Sequence, residues 1–169
     1  MHANEEREFR EYVQARLPGL RRTAFFLCGD WDRADDLAQT TLIRLHGAWR
    51  RPGVRDALDA YARRILVRVA IDERRRPWRR ERSTEILHDD IAADGSPFED
   101  RDELLRALGQ LPQQQRAVVV LRYWDDMSIE DTAAALGIST GTVKSHSWRA
   151  LGRLRELLPD QADHANDQL

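Results

Sequence analysis

Thr140, Thr142, Lys144, Ser145, His146 and Arg149 are small or cationic hydrogen-bond donors gathered within ten positions. Hydroxyls and ammonium groups suit phosphate oxygens, and a lysine or arginine at the right depth reaches guanine O6 and N7 in a major groove. Such donors read DNA only when a scaffold aligns them, and the residues around them have the right types for one. Ala133 is small, as it must be where one helix crosses another. Gly137 supplies a positive φ at a helix end, where a Cβ would be strained. Ile129, Leu136, Ile138 and Val143 are apolar anchors, and Ser128 with Glu130 and Asp131 reads as a helix start. This spacing predicts a helix-turn-helix over residues 128–157, with its second helix in a major groove. An ordinary helical hairpin with a solvated outer face is the competing reading. Trp148 reads as a core aromatic pinning the second helix, in preference to a van der Waals contact with the DNA edge.

A second cationic group lies upstream. From about Ala57 to Arg76, Tyr61, Ile65 and Val69, with Leu66 or Ala70, form an apolar stripe at helical spacing. The other face carries Arg63, Arg64, Arg68, Arg74, Arg75 and Arg76, continuing to Arg79 and Arg80, and no acid falls between Tyr61 and Ile71. A nucleic-acid face competes here with a plain solvated helix surface.

Charge segregation sharpens the choice. Residues 1–80 hold 18 arginines against 12 acids, residues 81–103 hold two against nine, and residues 104–169 hold seven basic against eight acidic residues, so a net charge of −2 conceals blocks of +6, −7 and −1. Nucleic-acid affinity follows local patches rather than overall pI. Cys28 is the single cysteine, which excludes an intramolecular disulfide and a cysteine-based zinc cluster, and it reads as a core residue in a reducing compartment. No run of 18 uncharged apolar residues exists, and the charged N-terminus lacks the apolar core of a secretory signal.

The elements that position these residues are all helical by periodicity. Phe9, Val13, Leu17, Leu20, Ala24 and Leu27 mark a first helix over 5–28, with Pro18 as the place for a bend. After the Gly29-Asp30 turn, Asp32 is expected to cap a second helix through Leu37, Thr41, Leu42 and Leu45 to Trp49. Residues 50–56 contain Pro52-Gly53 and read as a loop, followed by the arginine-faced helix. Residues 81–101 lose periodicity and read as a flexible acidic linker. Leu104, Leu105, Leu108 and Leu111 open a second domain, Pro112 starts its next helix, and the run Val118–Leu121 reads as helix rather than strand. The expected architecture is all-α: two small helical domains, 5–80 and 102–158, joined by the linker, with a disordered tail at 159–169.

In this order the residues resemble the small extracytoplasmic-function type of bacterial RNA polymerase sigma factor, with a region 2 domain, a linker and a region 4 domain. Three blocks carry the resemblance: Asp35 through Leu45, Asp59 through Arg68 with Asp72 and Arg76, and Leu111-Pro112 through Tyr123 leading to Gly141-Thr142-Val143-Lys144-Ser145. It implies that Asp35, Asp36, Gln39, Thr40, Ile43 and Arg44 dock on the clamp of core polymerase. It implies that Arg51, Arg55, Tyr61, Arg63, Arg64, Arg68, Arg75 and Arg76 bind the melted −10 element, with the 51–56 loop as a pocket for a flipped base. The −35 duplex falls to Thr140, Thr142, Lys144, Ser145, His146 and Arg149. The implied partners are core polymerase, through its clamp and flap, promoter DNA and an anti-sigma protein; no cofactor or metal is implied. Two positions depart from the family: Arg68 stands where many relatives have asparagine beside the flipped base, and His146 where arginine is frequent. The base read at each is therefore not carried over.

Trp49, Tyr61 and Trp78 are aromatics available for stacking on separated bases, each with an equal or better core reading. Two rival functions remain open. An autonomous duplex-binding regulator would need a dimer interface, and none is visible. An enzyme would need a site, and His88-Asp89-Asp90 is the only metal-type cluster, in the acidic linker. The +6 and −7 blocks also predict self-masking, in which neutralising Glu85, Asp89, Asp90 and Asp94 raises nonspecific DNA affinity.

Overall fold

In a computed structural model, residues 2–75 and 98–158 are described. Helix α1 (Ala3–Cys28) starts on a capping box of His2 and Glu5, runs through Pro18 without a break, and ends at Gly29, whose φ of 78° lets its N–H reach the Phe25 carbonyl. The turn is so short that Asp30, not the expected Asp32, caps α2 (Trp31–Ala48), accepting from the Asp32 and Arg33 amides at 2.8 and 3.4 Å. One 3-10 turn, Arg55–Ala57, leads into α3 (Leu58–Arg74).

The second half begins with α4 (Phe98–Gly109), whose first turn falls within the stretch read as linker. The remainder of that stretch, with Arg76, Trp78, Glu85, His88, Asp89, Asp90 and Asp94, and the 159–169 tail, lie outside the described residues. Helix α5 (Gln113–Val119) continues as a single π turn, Val120–Trp124, so Val118–Leu121 is helical and buried. Helices α6 (Ile129–Leu136) and α7 (Thr140–Leu157) form the helix-turn-helix. Ser128 accepts from the Asp131 amide at 3.0 Å, and Gly137 has φ 67°. No strand occurs among the described residues.

The two halves do not stand apart. One apolar cluster joins Leu37, Leu45, Trp49, Leu66 and Val67 of the first half to Leu108, Leu111, Val119 and Leu121 of the second. Each fully buried leucine there contributes about 1.5–3 kcal/mol. Packing of α6 along α3, and of the π turn against α1, makes the seam. A smaller cluster, Val118, Ala133 and Val143 with Ile129, Leu136 and Ile138, locks α6, α7 and α5 together. Helix α5 also reaches carbonyls near the C-terminal ends of two first-half helices. Arg116 Nε donates to the Phe26 oxygen at 2.7 Å, and Gln113 Nε2 to those of Ala70 and Ile71 at 3.4 Å. Carbonyls at helix ends lack intrahelical donors and favour cations, which accounts for a buried arginine at this place. Burial pushes the Arg116 pKa down to about 10, so the guanidinium remains charged at neutral pH.

Candidate nucleic-acid and polymerase surfaces

Helix α7 owes its start to Ser139, whose hydroxyl accepts from the Thr142 amide at 3.1 Å and lies 2.8 Å from the Thr142 hydroxyl. Val143 and Ala150, seven residues apart, are its buried positions and turn the opposite face outward. Thr140, Lys144, Ser145 and Arg149 are exposed there, with Thr142 and His146 half-buried at the edges. The His146 Nδ1 is buried without a hydrogen-bond partner. Trp148 is 79 % exposed, which corrects the expectation of a core aromatic. It lies five residues beyond Val143, well round the helix from the anchored stripe, and projects beside Lys144, Ser145 and Arg149.

Helix α3 divides its arginines. Its buried stripe is Ala62, Leu66, Val67 and Val69, with Tyr61, Ile65 and Ala70 half-buried against the core. Arg64, Arg68 and Arg75 are exposed and lie near one line. Arg63 is not with them. It turns toward the second half, where its Nε donates to Asp125 at 3.1 Å. In the preceding loop Arg51 is exposed, whereas Arg55 pairs with Glu8 and lies over the Trp49 ring at 5.6 Å. Trp49 itself is 2 % exposed and meets Phe9 edge-on at 5.1 Å, so it stacks on the core and not on a base.

On α2, Asp36, Gln39, Ile43 and Arg44 are exposed and Thr40 is half-buried. Ile43, at 72 % exposure, is the apolar centre of that face. Asp35 is tied to Arg21, which lies over Trp31 at 5.3 Å, and Trp31 stacks on Phe25 at 4.2 Å. The structure thus leaves Asp36, Gln39, Ile43 and Arg44 on the surface and gives Asp35 to an internal pair.

Three polar residues in the seam escaped sequence reading. Arg116 reads as one more arginine of an amphipathic helix, Thr23 as a helix-interior threonine, and Asp125 as a turn residue. Their partners lie 90, 102 and 62 positions away, so no local spacing reveals them. Burial pushes the Asp125 carboxyl up, while Thr23 and Arg63 pull it the other way. No cluster of metal-ligand type occurs among the described residues, and no helix there is long and apolar enough to cross a membrane.

The model described as Sigma-70 region 2 matches residues 12–80, and that described as Sigma-70, region 4 matches residues 101–154. The RNA polymerase sigma-E factor of Streptomyces avermitilis is 45 % identical over 152 residues, covering 89 % of this chain and 85 % of that protein. The extracytoplasmic-function sigma factor SigM of Mycobacterium tuberculosis is 35 % identical over 144 residues, covering 82 % and 71 %. Among solved structures, the sigma factor RpoE of Bartonella quintana, in complex with the anti-sigma factor NepR, superimposes with a TM-score of 0.73 at 29 % identity, covering 90 % of this chain and 97 % of that one.

Proposed function

Since the chain belongs to the sigma-70 family, in its extracytoplasmic-function type, and directs promoter-specific transcription by core RNA polymerase, we propose a division of that task among three surfaces. The first half, residues 5–80, docks on the polymerase clamp and holds the melted −10 strand. The second half, residues 102–158, reads the −35 duplex and meets the flap. Residues 81–101 connect them.

The outward face of α7 carries this reading. Lys144 and Arg149 are the exposed cations for guanine edges, while Thr140, Thr142 and Ser145 hold phosphates that set the register. The half-buried His146 takes a place at the edge of the groove. Trp148 lies flat against the edge of the bases, where an indole suits a thymine methyl. Arg64, Arg68 and Arg75 form the cationic line on α3, with Arg51 beside the pocket for an unstacked base. Unstacking costs a few kcal/mol per step, and contacts made only to the open strand must offset it. On α2, Asp36, Gln39, Thr40, Ile43 and Arg44 meet the clamp.

In this reading the chain contributes recognition and strand capture, and bond formation belongs to the polymerase. It acts in the cytoplasm, where polymerase and chromosome are found. An anti-sigma protein, of the general kind that accompanies the Bartonella quintana relative, is a further partner. Reconstitution with purified core polymerase on a genomic library, followed by start-site mapping, tests the whole assignment. The expected result is a small set of start sites sharing −35 and −10 sequences. Absence of any start site, or binding to a palindrome without polymerase, would overturn it.

A further inference from the structure

Between α2 and α3 the chain makes a short loop, and α1 takes hold of both its ends. Under the loop, Trp49 and Val54 are buried in the core. The Arg51, Val54 and Ala57 amides close successive turns on the Ala48, Arg51 and Val54 oxygens at 2.9, 3.2 and 3.3 Å. Gly53 takes φ 80°, so Arg51, Pro52 and Gly53 form an exposed tip between the two buried anchors.

Two arginines bracket that tip, and α1 pairs with each. Arg50 donates through Nε and Nη2 to Glu5 at 3.0 and 2.8 Å, and Arg55 pairs with Glu8. The two acids lie one helical turn apart. Each is held in turn: Glu5 also accepts the His2 amide at 3.0 Å, and the other Glu8 oxygen accepts from Asn4 at 2.7 Å. Further along the same face, Phe9 meets Trp49 edge-on at 5.1 Å. Tyr12 and Arg16 both reach Asp59, in the first turn of α3, at 3.1 Å. Positions 5, 8, 9, 12 and 16 recur at helical spacing, so a single stripe of α1 meets the loop and the helix that follows it.

Building on the assignment of the 51–56 loop to an unstacked base, we propose that this stripe is the positioning element of that pocket: Glu5 and Glu8 clasp Arg50 and Arg55, fix the loop beside α3, and so set which base the pocket accepts. Arg55 is then a positioning residue, its guanidinium committed to Glu8 and to the Trp49 ring at 5.6 Å. Arg51 is left as the exposed cation of the loop. Groups that read a ligand must be held to within about 0.5 Å by partners whose own places are fixed. The clasp meets that need, since two acids on one rigid helix catch both ends of a short loop. Ion pairs as exposed as these add little to folding stability. Breaking them should therefore give a chain that folds well and reads the promoter badly.

Charge reversal tests this with core polymerase on a promoter mapped as above. Glu8→Arg and Arg55→Glu are each expected to lower open complex at least five-fold and to flatten discrimination among the four bases at the unstacked −10 position. Glu8→Arg adds positive charge, which alone favours DNA, so its loss would run against net charge. Glu8→Arg with Arg55→Glu should return both readouts to within two-fold of the unaltered chain, because the pair re-forms with its charges exchanged. A double variant no better than Arg55→Glu alone would make Arg55 a strand contact and sink the clasp. Single variants that lose open complex equally for every −10 base would do the same. If the unaltered chain directs no start site, the functional assignment itself has failed; if it does and the single variants match it, only the clasp has. Amide exchange on the free chain is a second measurement and reports folding of the variants. Glu8→Gln should speed exchange at Val54 and Ala57 at least five-fold while α2 and α7 stay unchanged, and an unchanged loop would show that the acids do not hold it.

Discussion

Helices α3 and α7 are nearly the same length, 17 and 18 residues, and both carry the donors expected for DNA. They present them differently. Helix α7 buries Val143 and Ala150, packs on α5 and α6, and leaves its outer face to solvent. Helix α3 is gripped from two sides, by α2 and by α6, so its arginines separate into an open line and a single captive. A helix at the margin of a fold keeps most of the donors its periodicity assigns to the outer face, here Thr140, Lys144, Ser145 and Arg149. A helix in the middle surrenders some of them to its neighbours, and only packing decides which.

Several measurements would break or sharpen that contrast. The largest effect is expected on the open helix: Lys144→Ala or Arg149→Ala should weaken −35 duplex binding by about 10- to 100-fold, the worth of a good base contact. Binding of the assembled holoenzyme to promoters with single −35 substitutions checks it, and a uniform loss across sequences would instead mark a phosphate contact. Next comes the support of that helix. Ala133 is 7 % exposed in the small cluster with Val118 and Val143, so Ala133→Leu should destabilise the helix-turn-helix by about 1–3 kcal/mol through overpacking. Amide exchange would show α6 and α7 opening while α1 and α2 stay protected.

A smaller effect should separate the two kinds of arginine on α3. In the free chain, Arg68→Ala should lower affinity for single-stranded DNA several-fold and Arg63→Ala scarcely change it. Equal losses would show that Arg63 is as available as its neighbours. The smallest concerns pH. Burial between the halves pushes the Asp125 carboxyl up, so its protonated form favours their packing. That packing should weaken as pH rises from the ordinary carboxylate range through the raised value, and Asp125→Asn should flatten the dependence. Small-angle scattering across the acidic range gives the measurement.

Much of the fold was legible because its signals are local. Ser128, Gly137 and the apolar anchors defined the helix-turn-helix within one short window, and the inward stripe of α2, with Leu37, Thr41 and Leu45, followed from its periodicity. Trp148 was misassigned because its type suggests a core, whereas its angular position relative to Val143 puts it outside. Asp32 lost the cap to Asp30 by a shift of two residues, within the range over which helix ends compete for the same amides. Arg63 was grouped with Arg64 and Arg68 because all three follow one another on a cationic helix, and nothing within that helix distinguishes them.

The amino-acid order alone determined the helical elements, the Ser128 and Gly137 ends of α6 and the outward face of α7, because each depends on contacts a few residues apart. The tertiary structure decided that the halves share a core, that Arg116 caps α1, and that Asp125 holds Arg63 across 62 positions. Such pairings arise when two already formed surfaces are brought together. Their energies depend on burial and on the alignment of distant side chains, for which a linear pattern carries no period.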